Sequence, residues 1–196
     1  LNATTCDGFN PYRITRSGID WEVVEPDNPW SNIGYWGDHQ VIYLAKLLEV
    51  QYHFNREQLE KNLSQPCYST GNVPYRLKKY TEMLANPRST IIFDHKLHAT
   101  IEAETERYGT DAKLIRAADG SVALTTMTDK ILAIILAKMA SYVPLGGIWL
   151  NTQRPEWNDA NNALAGYGLS MVTLYYLRRF LVFLVRIYTD AQAGPF

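Results

Sequence analysis

The chain has only two cysteines, Cys6 and Cys67, and they form no cluster with metal-ligand spacing. That excludes a disulfide scaffold and a zinc module, and two free thiols in a reducing, cytoplasmic setting is the default. It also has no excess of either charge: the formal net charge is −1 over 196 residues. Nucleic acid and anionic membrane therefore find no electrostatic footprint. Long apolar runs are missing too. Leu169 to Tyr188 is apolar-rich, but Arg178, Arg179 and Arg186 interrupt it, and charges at the centre of a lipid span are costly. This stretch is expected to be a core helix of a soluble protein. No signal-peptide pattern is visible, and a start at Leu1 rather than Met reads as a processed or excised piece.

Aromatic residues are plentiful, at 12%, with five Trp and thirteen Tyr. Hydrophobic residues reach 46%, enough for one domain with a real core. Residues 1–35 show little helical periodicity and are punctuated by Gly8, Pro11, Gly18, Pro26 and Pro29. They read as an irregular arm, with a short strand at Asp20-Trp21-Glu22-Val23-Val24. Residues 36–196 read as a helical domain. After Gly37, the residues Val41, Leu44, Leu47, Leu48 and Tyr52 share one face at helical spacing. Asn55 caps a second helix to about Ser64. A third is predicted from Pro74 to Leu84, and a fourth from Ser89 to Arg107 with Ile91, Ile92, Leu97 and Ile101 inward. His95 and His98 lie on it at i, i+3, but without a third ligand they read as exposed or core-satisfied rather than as a metal site. The turn Asp119-Gly120 predicts a hairpin. Thr128 or Asp129 caps a fifth helix to about Tyr142, apolar on nearly all sides and so expected between layers. A sixth runs from near Asp159, with a break at Gly166 or Gly168, to about Asp190. Six helices on short connections predict an all-α fold of paired helices.

Two polar clusters stand out. The run from Gly146 to Asn162 sets Trp149, Gln153, Arg154, Glu156, Trp157, Asn158, Asp159, Asn161 and Asn162 in one stretch of loop. A buried structural loop rarely needs that many hydrogen-bonding side chains, since each demands a partner. A sugar offers apolar ring faces for Trp and hydroxyls for Asp, Asn, Gln and Arg. The plainer reading is a polar loop between helices with a buried Trp. The second cluster, Trp30 to Gln40, places Trp36, Asp38, His39 and Gln40 at the mouth of the first helix. For Asp38 the plainer reading is a helix cap. If the two clusters meet, carboxyl groups distant in sequence come together, as cleavage of a glycosidic bond requires.

Gly34-Tyr35-Trp36-Gly37-Asp38-His39-Gln40 and Glu156-Trp157-Asn158-Asp159 resemble motifs of the six-hairpin sugar-enzyme superfamily, in particular the cellobiose phosphorylase-like enzymes. The resemblance implies helical hairpins of an (α/α)6 toroid, here a partial toroid of about half the helices, with glycosidic cleavage by water or by phosphate. It implies Glu156 as general acid, where the family usually has Asp, with Asp159 as the second choice. Trp36, Trp149 and Trp157 would stack on sugar rings. Asp38, His39, Gln40, Gln153, Arg154, Asn158, Asn161 and Asn162 would hold hydroxyls, or phosphate for Arg154 and His39. No metal or organic cofactor is implied. The expected partner is an oligosaccharide, with inorganic phosphate if the reaction is phosphorolysis. Exposed helix faces of a half toroid predict self-association or a missing remainder of a larger chain. The alternative is a non-catalytic sugar-binding or helical assembly module.

Overall fold

The computed structural model describes residues 1–8, 10, 13–21, 23, 27, 37–151 and 163–191. Among them are six α-helices, one 3-10 turn and seven short strands. The helices are α1 (Asp38–Phe54), α2 (Arg56–Ser64), α3 (Tyr80–Ala85), α4 (His95–Tyr108), α5 (Met127–Met139) and α6 (Met171–Asp190). The strands pair antiparallel in three small sheets. In the first, β1 (Arg13–Thr15) lies beside β2 (Gly18–Asp20); in the second, β3 (Tyr75–Leu77) lies beside β4 (Ile91–Phe93). The third has the order β5 (Tyr142–Val143), β6 (Gly147–Trp149), β7 (Leu169–Ser170).

The fold is therefore mixed, and the all-α, partial (α/α) toroid expectation is wrong. Local chemistry explains each departure. The backbone after Pro74 pairs as a strand instead, and the Pro74 carbonyl accepts the Asp94 N–H at 2.7 Å. Thr90-Ile91-Ile92 is a β-branched run, which packs well on a pleated surface and loses rotamer freedom in a helix. Ile91 is buried and Ile92 exposed, the alternation of a strand. The predicted third helix shrinks to α3, and the fourth starts only at His95, where the Asp94 side chain accepts the Leu97 N–H at 2.9 Å. The strand of the N-terminal arm lies slightly earlier than expected, at β2, with Trp21 buried just beyond it. The Gly166–Gly168 break holds, and β7 fills the gap before Ser170 caps α6. With the toroid gone, the fold lends no support to a glycosidase or phosphorylase class. Any such reading has to stand on the site.

Two hydrophobic cores result. The larger joins Val41, Ala45, Leu48 and Tyr52 of α1 to Leu59 and Leu63 of α2, to Met127, Ile131, Ile134 and Ile135 of α5, and to Leu177, Phe180, Leu184 and Ile187 of α6. Ile148 and Leu150 seal it from the third sheet. Polar ties cross the same layer. Thr128 donates to the Leu63 carbonyl at 2.8 Å and accepts from the Tyr188 hydroxyl at 3.0 Å. α5 is not apolar-buried all round as expected, since Leu132, Leu136 and Met139 are exposed. Its cap is Thr126, in a reciprocal box with Asp129. The smaller core gathers Ala3, Ile19, Trp21, Val73, Tyr75, Ile91 and Ile101 around the first two sheets and α4. There His98 accepts the Trp21 indole N–H at 3.3 Å and lies beside Phe93, so it is satisfied in the core. Among the described residues no group of His, Cys, Asp or Glu is placed to hold a metal ion, and no helix is long and apolar enough to cross a membrane. Cys6 and Cys67 are free and exposed.

Candidate functional site

The two cores leave a seam, and a cavity of about 200 Å³ opens there. The small-sheet side contributes Leu77, Tyr80 and Met83; the helical side contributes Gly37, Ile134, Lys138, Ser141, Trp149 and Asn151. The N-terminal segment closes a third wall with Asp7 and Gly8.

Each wall is fixed by identifiable contacts. Gly8 has a φ of 73°, and a Cβ there would sit 2.6 Å from the Ala133 carbonyl oxygen, so only glycine lets the segment lie on the α5 backbone. Lys130, buried in the apolar stripe of α5, donates to the Thr4 carbonyl and, at 3.2 Å, to the Thr70 hydroxyl. Burial lowers its pKa from 10.5 to about 8. Trp149 ends β6 half-buried, its indole N–H donating to the Gly166 carbonyl at 3.0 Å, with its ring edge-on to Tyr80 at 6.4 Å. That bond holds the ring at the cavity wall and links it to the segment leading into β7.

At the start of α1, Gly37 takes the left-handed conformation at φ 69°, and a Cβ there would strike the Gln40 side-chain oxygen. Asp38 is completely buried. One carboxylate oxygen accepts the His39 N–H at 2.9 Å, but among the described residues the other, Oδ2, has no partner, and neither has Gln40 Oε1. Burying an unpaired acceptor costs about 1–3 kcal/mol, so both oxygens call for donors from outside the described residues. Asp38 is not the cap itself, since Gly37 holds that place, but it serves the helix start by accepting a first-turn N–H. His39 and Gln40 line an adjoining, more open pocket of about 300 Å³ with Thr4, Asn10 and Tyr43.

Of the sequence-derived site residues, Asp38, His39, Gln40 and Trp149 fall within the described part of the chain. Trp36, Gln153, Arg154, Glu156, Trp157, Asn158, Asp159, Asn161 and Asn162 lie outside it. Gly37 and Asn151 line the seam cavity. Four lining side chains were not singled out from sequence: Asp7, Tyr80, Lys138 and Ser141. Lys138 left a legible trace, since it continues the buried stripe Ile131, Ile134, Ile135 at helical spacing. Tyr80 left none, because it reaches the cavity only through the β3–β4 pairing.

No family model matches the chain, and no curated protein does. The candidate site therefore rests on its own chemistry.

Proposed function

We propose that the chain is a carbohydrate-active domain whose seam cavity holds a saccharide, with Glu156 as general acid on a glycosidic bond and Asp159 as the alternative acid. The observation that carries the reading is the shared cavity. The start of α1 and the end of β6, far apart in sequence, line one hollow. Gln40 supports it from the adjoining pocket, because its buried Oε1 finds no donor among the described residues and sugar hydroxyls are donors. An indole and a phenol ring beside amide and hydroxyl groups form the mixed surface that a pyranose matches.

The test is a screen of oligosaccharides, each with and without inorganic phosphate. Turnover abolished by Glu156→Gln with binding retained assigns the acid there; the same result for Asp159→Asn assigns it to the alternative. Released sugar phosphate indicates phosphorolysis, and free reducing sugar alone indicates hydrolysis. Binding without turnover, unchanged in both variants, identifies a non-catalytic sugar-binding module instead.

A further inference from the structure

The outer surface of α1 carries a second apolar stripe that the core does not use. Tyr43, Leu47, Val50 and Phe54 recur at helical spacing and are all exposed, Phe54 to 90%. Such a stripe is the seam that another helix fills. Beside it, between α1 and α6, runs a groove of about 860 Å³. Val50, Phe54 and Phe183 supply its apolar surface, and Lys46, His53, Arg179 and Arg186 stand around it with one carboxylate, Glu49.

The charges decide the occupant. Glu49 is already engaged by Arg179, whose Nε lies 2.7 Å away. Lys46 Nζ lies over the rings of Tyr43 and Tyr176, at 5.8 and 5.4 Å, rather than on a carboxylate. Arg186 covers the Tyr52 ring at 4.9 Å and reaches Asp190 only at 3.8 Å, a carboxylate that also accepts from Tyr52 and faces Arg56. Three fixed cations against two carboxylates, Glu49 and Asp190, leave this groove a small positive excess, carried by Lys46, in a chain whose formal net charge is −1. A second copy turned face to face would press that rim against itself, which like-charge repulsion disfavours. A bilayer is flat and does not fill a groove between two ridges, whereas a helix about 10 Å across does.

We propose that the α1–α6 groove docks an acidic amphipathic helix, its apolar side on Val50, Phe54 and Phe183 and its carboxylates on Lys46, Arg179 and Arg186. The proposal is independent of the saccharide reading. The probe is a designed amphipathic peptide of about 18 residues, five helical turns, with Leu at i, i+4, i+7 and i+11 and Glu flanks. A control keeps the leucines and replaces Glu by Lys. Fluorescence anisotropy against the full chain should show the Glu peptide binding about tenfold or more tighter at low salt, with the gap closing as salt rises. Phe54→Asp and Lys46→Glu should each weaken it several-fold while circular dichroism and Tm stay unchanged, both side chains being exposed. Equal binding of the two peptides, no binding, or indifference to both variants overturns the proposal. So does concentration-dependent dimerisation abolished by Phe54→Asp, which assigns the face to a second copy. Binding to anionic vesicles without peptide binding overturns it in favour of a membrane surface.

Discussion

The helical half and the small-sheet half of this molecule are built on different scales. In the helical half, stripes from four helices interlock, and Phe180, Ile131, Leu59 and Ile187 are sealed from solvent. In the sheet half, two two-stranded ribbons, marginal alone, are held by aromatic contacts among Trp21, Tyr75, Phe93 and His98 and by the single fully buried residue of α4, Ile101. The contrast assigns them different work. The first supplies the stability. The second shapes a wall, bringing Tyr80 and Met83 to the cavity where the halves meet. Lys130 crosses between them, from α5 to the N-terminal segment.

The sharpest way to break the comparison is at the two centres. Phe180→Ala should cost about 3–5 kcal/mol, enough to unfold a marginal domain, as read from urea denaturation. Ile101→Ala should cost about 2–3 kcal/mol, toward the low end for an Ile truncation, because a thin layer collapses around the cavity more easily. Native-state hydrogen exchange should then show α4 and β3–β4 opening before α6. Equal costs and a single opening event would mean that the halves are one cooperative unit. The tie itself has a pH signature. Lys130 titrates at about 8 when folded and near 10.5 when unfolded, so below pH 8 both states are protonated and the cost of burying the charge is fully present. From about pH 8 to 10.5 the unfolded chain binds more protons, and stability should rise with pH. Lys130→Met should flatten that rise in Tm against pH. Smallest is the cap of α5. Asp129 accepts from Thr125 and from both the hydroxyl and the N–H of Thr126, which lowers its pKa below the ordinary 3.8. Its contribution is therefore present above that value and lost as pH falls through the folded pKa. Asp129→Ala should cost about 1 kcal/mol at neutral pH, and the deficit should vanish in acid.

The same contrast governs what was legible in the sequence. Helices with a long apolar period could be read directly: α1, α2 with its Asn55 cap, most of α5, and α6 after its glycine break. The short strands could not, because three residues carry no period of their own. Thr90-Ile91-Ile92 continued the helical pattern of α4 well enough to hide β4, and only the Asp94 cap marks the true start. Leu132 and Leu136 made α5 look buried on all sides, since an apolar residue in sequence does not say whether anything covers it. Of the residues singled out by type and clustering, Trp149 lines the seam cavity and His39 and Gln40 the adjoining pocket, while Asp38 lines neither. Tyr80 and Ser141 were not singled out, for they become site residues only through strand pairing and the end of α5.

The most direct test of the saccharide cavity is Tyr80→Ala, in a side chain that lines it, followed by calorimetric sugar titration and thermal melting on the same sample. Tyr80 is 59% exposed, so the variant should melt close to the wild type while saccharide affinity falls about tenfold or more. A variant that melts lower and binds every sugar as the wild type does, or a wild type that binds none, would contradict the account.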